Sequence, residues 1–282
     1  MLQFCGKPAA VMCSSYFSIT IRKFWGNALF CGYKKKNWLG LLFLASSCMI
    51  GLSARADTTE LEVYRTEIAD PGEINFDLAG NIITAARHSD LVGRTITQAV
   101  GELSYGLASE WQVALKLPLS YTNGDWYGNG LLGEVKYVAP HQKEGFYWGA
   151  EVELGYLSTF DENEKWGVDA VPILGYRMPS WEFTINPGLS ITSGGDQRNV
   201  VMFEPSAKIA YQLNRDNAVG VEYFSESGAV SAILPSGRRN DLAFLALDTK
   251  VAKSLVTFGV GQGLNSRSPK LALKLVADIE FD

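Results

Sequence analysis

From Glu73 to Phe281 the hydrophobic residues recur at every second position. Ile74, Phe76 and Leu78 alternate with Asn75 and Asp77. Trp111, Val113, Leu115, Leu117 and Leu119 alternate with Gln112, Lys116 and Ser120, and Trp148, Val152 and Leu154 face away from Glu151 and Glu153. Successive side chains of a strand point to opposite faces, so each stretch has one apolar and one polar face. The pattern predicts about twelve strands: 73–84, 95–107, 111–121, 130–139, 146–157, 167–177, 181–191, 200–213, 218–226, 240–250, 255–263 and 271–281. Within 240–250 the phase is ambiguous. Most of these stretches exceed the usual strand of about five or six residues and match the roughly 9–11 needed to cross a bilayer at a tilt.

The connections alternate in length. Those at 108–110, 178–180, 214–217 and 251–254 are tight, and 140–145 is a little longer. Those at 85–94, 122–129, 158–166, 192–199, 227–239 and 264–270 are longer and more polar. Short periplasmic turns and long outer loops mark an outer-membrane barrel, and an even strand number places both termini on the periplasmic side. Trp111, Tyr137, Trp148, Tyr176, Trp181 and Tyr211 cluster near the short turns, while Tyr121, Tyr156, Trp166 and Tyr223 lie near the long loops. Two such bands fit the interfacial girdles of a barrel. The fold class is therefore all-β: an antiparallel transmembrane β-barrel of about twelve strands.

Tyr105-Gly106-Leu107-Ala108-Ser109-Glu110-Trp111-Gln112-Val113, running into Leu117-Pro118-Leu119, resembles a hairpin of the bacterial barrel family that includes transporters associated with the phenol meta-cleavage pathway. Gly130-Leu131-Leu132-Gly133-Glu134-Val135-Lys136-Tyr137 resembles that family's next strand. The match covers mainly 100–140. It implies an outer-membrane channel or transporter and names no substrate. The last strand resembles the C-terminal signal by which barrels engage the assembly machinery, with Ile279 and Phe281 at alternate positions. Val276 and Asp282 depart from that signal.

Charge changes the picture at the N-terminus. Mean hydropathy of +0.02 and a net charge of −5 describe an ordinary soluble globule. The first 56 residues, however, hold all four cysteines and seven of the 25 basic residues, with no acidic residue. The remaining 226 carry 18 basic and all 30 acidic residues, a formal charge of −12. Lys34-Lys35-Lys36, an apolar run from Trp38 to Leu52 and Ala54-Arg55-Ala56 read as a signal peptide cleaved after Ala56. The run is shorter than the roughly 20 residues of a spanning helix. A lipoprotein reading through Cys48 meets Ala45, where such a motif usually has Leu. The expected organisation is 1–56 as N-terminal extension and signal peptide, 57–72 as periplasmic lead-in and 73–282 as barrel.

Candidate chemistry is sparse. His88 falls in an outer loop and His141 in a periplasmic turn, so they share no site. Neither has metal-ligand spacing to another His or Cys. Asp161, Glu162 and Glu164 crowd a loop that oxygen-liking cations could visit, but such runs are commonly solvated. Gly194-Gly195-Asp196 is turn chemistry that opens no helix. No catalytic residue, metal site or cofactor is expected, and an acidic chain without a basic stripe excludes nucleic acid as a partner. The expected partners are outer-membrane lipid, the barrel-assembly machinery and a small-molecule solute.

The polar phase carries the functional signal. Glu102, Lys116, Glu134, Lys136, Glu151, Glu153, Asp169, Glu182, Glu204, Lys208, Glu222 and Lys274 all fall on it. A Lys or Arg facing lipid at the midplane costs about 2–4 kcal/mol, so these residues should face the lumen. Three readings stay open: a channel or transporter for small solutes, a structural or binding barrel with a closed lumen, and a soluble exported β-sheet ligand-binding protein.

Overall fold

The computed structural model describes residues 61–84, 95–122, 124–141, 143–158, 165–194 and 198–280. The expected leader with its Ala56 cleavage site, His88 and the Asp161–Glu164 loop lie outside them. In chain order the strands are β1 (Ile74–Thr84), β2 (Thr95–Ala108), β3 (Trp111–Thr122), β4 (Asp125–Gly128), β5 (Gly130–Val138), β6 (Gly145–Leu157), β7 (Lys165–Arg177), β8 (Trp181–Thr192), β9 (Met202–Gln212), β10 (Asn217–Glu226), β11 (Asn240–Val251), β12 (Ser254–Gly263) and β13 (Ala272–Glu280). A single 3-10 turn, η1 (Ser236–Arg238), precedes β11.

Apart from β4 and β5, consecutive strands pair antiparallel, and β1 also pairs with β13. The sheet therefore closes on itself. β4 and β5 both pair with β3 and count as one stave, so the closed ring has twelve. The stretch 122–129, expected as a loop, holds β4, so the stave continues beyond a break. Its register against β3 slips by one residue between β4 and β5, as in a β-bulge. Asn129 at the break is fully buried and donates its side-chain amide to the Ser120 hydroxyl. The next residue, Gly130, has φ +121°, and a Cβ there would lie 1.9 Å from the Tyr156 carbonyl oxygen, so only glycine fits.

The burial pattern is that of a soluble protein turned inside out. On β3, Leu115 and Leu117 are 46% and 54% exposed, whereas Lys116 between them is 1% exposed. On β11, Leu245 is 71% exposed and Phe244 is 1%. Hydrocarbon can cover such an exterior, and closure leaves no unpaired sheet edge inside it. Aromatic pairs ring both ends of this band. Trp111–Tyr137 (4.7 Å between ring centroids) and Trp181–Tyr211 (4.8 Å) lie at the short-turn end, and Tyr121–Trp126 (5.2 Å) and Tyr156–Trp166 (5.5 Å) at the long-loop end.

Candidate lumen and the segment inside it

The inward faces gather charge into two groups. In the first, Lys116 on β3 sends its ammonium among four carboxylates from β2, β5 and β6: Glu153 (2.5 Å), Glu134 (2.9 Å), Glu102 (3.5 Å) and Glu151 (3.8 Å). Lys136 on β5 lies 3.8 Å from Glu151. The strand register dictates this meeting, since Lys116 is opposite Glu102, Glu134 is opposite Glu153, and Lys136 is opposite Glu151. The carboxyl oxygens of Glu134, Glu151 and Glu153 lie within 4.8 Å of one another, as a divalent cation would need. The Lys116 ammonium occupies the space between them, so the cluster carries its cation as a side chain.

The second group lies across β9 to β13. Lys208 pairs with Asp248 (2.8 Å) and Glu222 (2.9 Å), and Lys274 pairs with Glu222. Thr257 donates to Asp248 at 2.8 Å. Elsewhere, Glu182 receives Arg177 (2.5 Å) and the Tyr147 hydroxyl (3.0 Å). Asp169, opposite Glu153, and Glu204, opposite Gly188, are half-buried on the same phase of their strands.

The stretch expected as a periplasmic lead-in runs elsewhere. At the short-turn rim Gly72 donates its N–H to the Gly106 carbonyl (2.8 Å), and Pro71 bridges Gly106. A Cβ on Gly106 would sit 2.1 Å from the Asp70 carbonyl oxygen, so this glycine of the Tyr105-Gly106-Leu107 motif lets the segment pass close against β2. From there, residues 61–70 follow the inward faces. The Ala69 N–H donates to Gln112 (2.7 Å), and Arg65 lies 3.6 Å from Asp248. The Tyr64 ring lies under both Lys116 and Lys136, at 5.3 and 5.8 Å, and the Tyr64 carbonyl accepts from the Asn186 amide at 3.1 Å.

Near the long-loop end, Leu61 and Val63 pack with Phe224, Leu242, Phe244 and Ala272, and the Leu61 carbonyl accepts from Lys274 at 2.8 Å. An extended chain covers about 3.3 Å per residue, so a dozen residues suffice to traverse a hydrocarbon layer of about 30 Å. The segment stays inside because the interior offers what it needs: donors for its carbonyls, carboxylates for Arg65, and an apolar pocket for Leu61 and Val63.

Arg65 lies between two carboxylates, Glu67 at 3.8 Å and Asp248 at 3.6 Å, which offset its charge. A cavity of about 320 Å³ remains beside it at the short-turn end, bordered by Arg65, Arg177, Trp181, Glu182, Asp248 and Lys250.

Sequence reasoning missed Asp248, Arg65, Tyr64 and Asn186 as partners in this interior. The ambiguous phase of 240–250 concealed Asp248. The cause is visible in the fold: β11 presents Leu242 and Phe244 inward to receive Leu61 and Val63, so both of its faces are apolar there.

No protein-family model and no curated protein matches this sequence. Among solved structures, the chain is similar to the COG4313 outer-membrane channel from Pseudomonas putida F1. The likeness has 15% identity and a TM-score of 0.59, and it covers 79% of this chain and 100% of that one. It is also similar to the KdgM porin at 11% identity and a TM-score of 0.52, covering 74% of this chain and 99% of that one. At such identities the likeness establishes the fold, that of an outer-membrane β-barrel.

Proposed function

We propose that this protein is a channel of the Gram-negative outer membrane, passing small solutes through a lumen that its own residues 61–70 close at rest. One observation carries the reading: a charged interior encloses a segment that it holds without a strand ladder. Among the described residues, the wall grips 61–69 through side chains of Gln112, Asn186, Asp248 and Lys274 and through the apolar pocket. Contacts of this kind release one at a time, whereas a ladder would have to unzip. In this reading β13 engages the assembly machinery, outer-membrane lipid surrounds the exposed band, and no reaction is catalysed.

The ion-pair groups favour a second reading, a structural barrel whose interior is permanently laced shut. Planar-bilayer conductance separates the two. Deleting residues 61–70 should convert a barrel that opens rarely into one that conducts steadily. A deletion variant that keeps the heat-modifiable gel migration of a folded barrel, yet conducts no ions, would overturn the channel reading.

A further inference from the structure

The two strands that close the barrel meet through like charges. β1 lies between β13 and β2, and its register sets Asp77 directly opposite Asp278 on one side and Glu102 on the other. Two residues nearer the short-turn end, Asn75 is opposite Glu280 and Ser104. All six fall on the inward phase, since the exposed Ile74, Leu78, Leu103 and Leu275 belong to the opposite one. Three adjacent strands therefore present oxygen at every position of this corner and a basic group at none.

Elsewhere the register does otherwise. Glu102 is opposite Lys116, and Lys208 is opposite Glu222. Where Glu134 meets Glu153, the Lys116 ammonium lies 2.9 and 2.5 Å from them. Like charges directly opposite with nothing between them destabilise a sheet. Among the described residues, neither Asp77 nor Asp278 forms an ion pair. The basic groups that act on them from further off are already engaged: Lys136 with Glu151 at 3.8 Å, and Arg65 with Glu67 and Asp248 at 3.8 and 3.6 Å.

A second observation points to a ligand. Ser104 is 1% exposed and its hydroxyl has no hydrogen-bond partner. Directly opposite, the Asn75 side-chain oxygen is buried and also unpartnered. Burying such groups without a partner is costly, and both stand on the face that carries Asp77.

We propose that this corner of the lumen is a calcium site. Asp77 and Asp278 supply the charge, Asn75 and Ser104 supply neutral oxygens, and the ion ties the first strand of the barrel to the last. The spacing suits it. Opposed β-carbons lie about 5 Å apart, so one oxygen from each aspartate can come within the roughly 2.3–2.6 Å of a calcium bond. Calcium accepts irregular sets of carboxylate, amide and water oxygens, whereas magnesium demands a near-ideal octahedron. The site lies near the short-turn mouth, where an ion enters from the periplasm. It goes beyond the channel reading and stands whether or not the lumen conducts.

The test uses the full chain refolded into detergent and stripped of calcium with EDTA. Titration calorimetry should count one calcium per barrel. At about a hundred times the dissociation constant, calcium should lower the urea-unfolding equilibrium constant about hundredfold. Asp77→Asn with Asp278→Asn should abolish binding. That variant should also unfold less readily than the calcium-free wild type, because the repulsion is gone, and calcium should no longer change it. Ser104→Ala should weaken calcium binding about tenfold, the scale of losing one supporting group at a metal site. Glu151→Gln, in the Lys116 group, should leave binding unchanged. Unfolding of the wild type that ignores calcium, a calcium response that survives the double substitution, or one abolished by Glu151→Gln would overturn the site. If the double variant does not fold, Ser104→Ala decides, since an unchanged affinity there would overturn it as well.

Discussion

The two charged groups in the lumen are built differently. Around Lys116, two lysines meet four glutamates, and all six side chains belong to the wall. Around Lys208 and Lys274, the wall supplies Glu222 and Asp248, and the enclosed segment supplies Arg65 and the Leu61 carbonyl. The first group pairs these charges within the wall, with the segment laying the Tyr64 ring beside both lysines, and it fastens β2, β3, β5 and β6 together. The second is shared between the wall and the segment, so part of it leaves when the segment does. A barrel that must stay closed as a cylinder while opening as a pore needs both kinds. Stability is concentrated on one wall, and movable contacts lie on the other.

The sharpest way to break this contrast is to remove Lys116. Lys116→Met leaves four buried carboxylates with Lys136 as their remaining neighbour, and breaking a buried ion pair from one side typically costs about 3–5 kcal/mol. Urea unfolding in detergent should show the unfolding free energy lowered by that amount, and most of the loss should persist without residues 61–70. A loss that vanished with the segment would contradict the assignment of this group to the wall.

Arg65→Met should act more mildly. Asp248 keeps Lys208 and Thr257, so the cost should be about 1–3 kcal/mol, the scale of losing one charged hydrogen-bonding partner. Its larger consequence is functional, since the segment loses a tether and the open fraction in bilayer recordings should rise. Unaltered gating in a folded Arg65→Met barrel would make the two walls equivalent.

Much of this architecture was legible in the sequence because lipid enforces it. Period two, strand length and alternating loop lengths are direct consequences of crossing a bilayer with a closed sheet. Glu102, Lys116, Glu134 and Glu151 could be set on one face from their phase alone, because a charge facing lipid is expensive. The rest depended on contacts far apart in sequence. Residues 61–70 pair with no ladder, so nothing local distinguishes a lumen segment from a periplasmic tail. Asp77 and Asp278 each look like an ordinary inward charge, and only the register sets one opposite the other. The stave at 125–138 hid its outer half because a bulge at Asn129 shifted its phase by one residue.

The account turns on whether residues 61–70 lie in the lumen of the folded protein and close it. The most direct measurement pairs Val63→Cys with Leu242→Cys, which share the apolar pocket, in a background where the native cysteines are serine. Mild oxidation should cross-link most folded barrels, and the cross-linked protein should stop opening in bilayer recordings until a reductant restores it. Folded barrels that resist cross-linking, or that conduct unchanged when cross-linked, would contradict it.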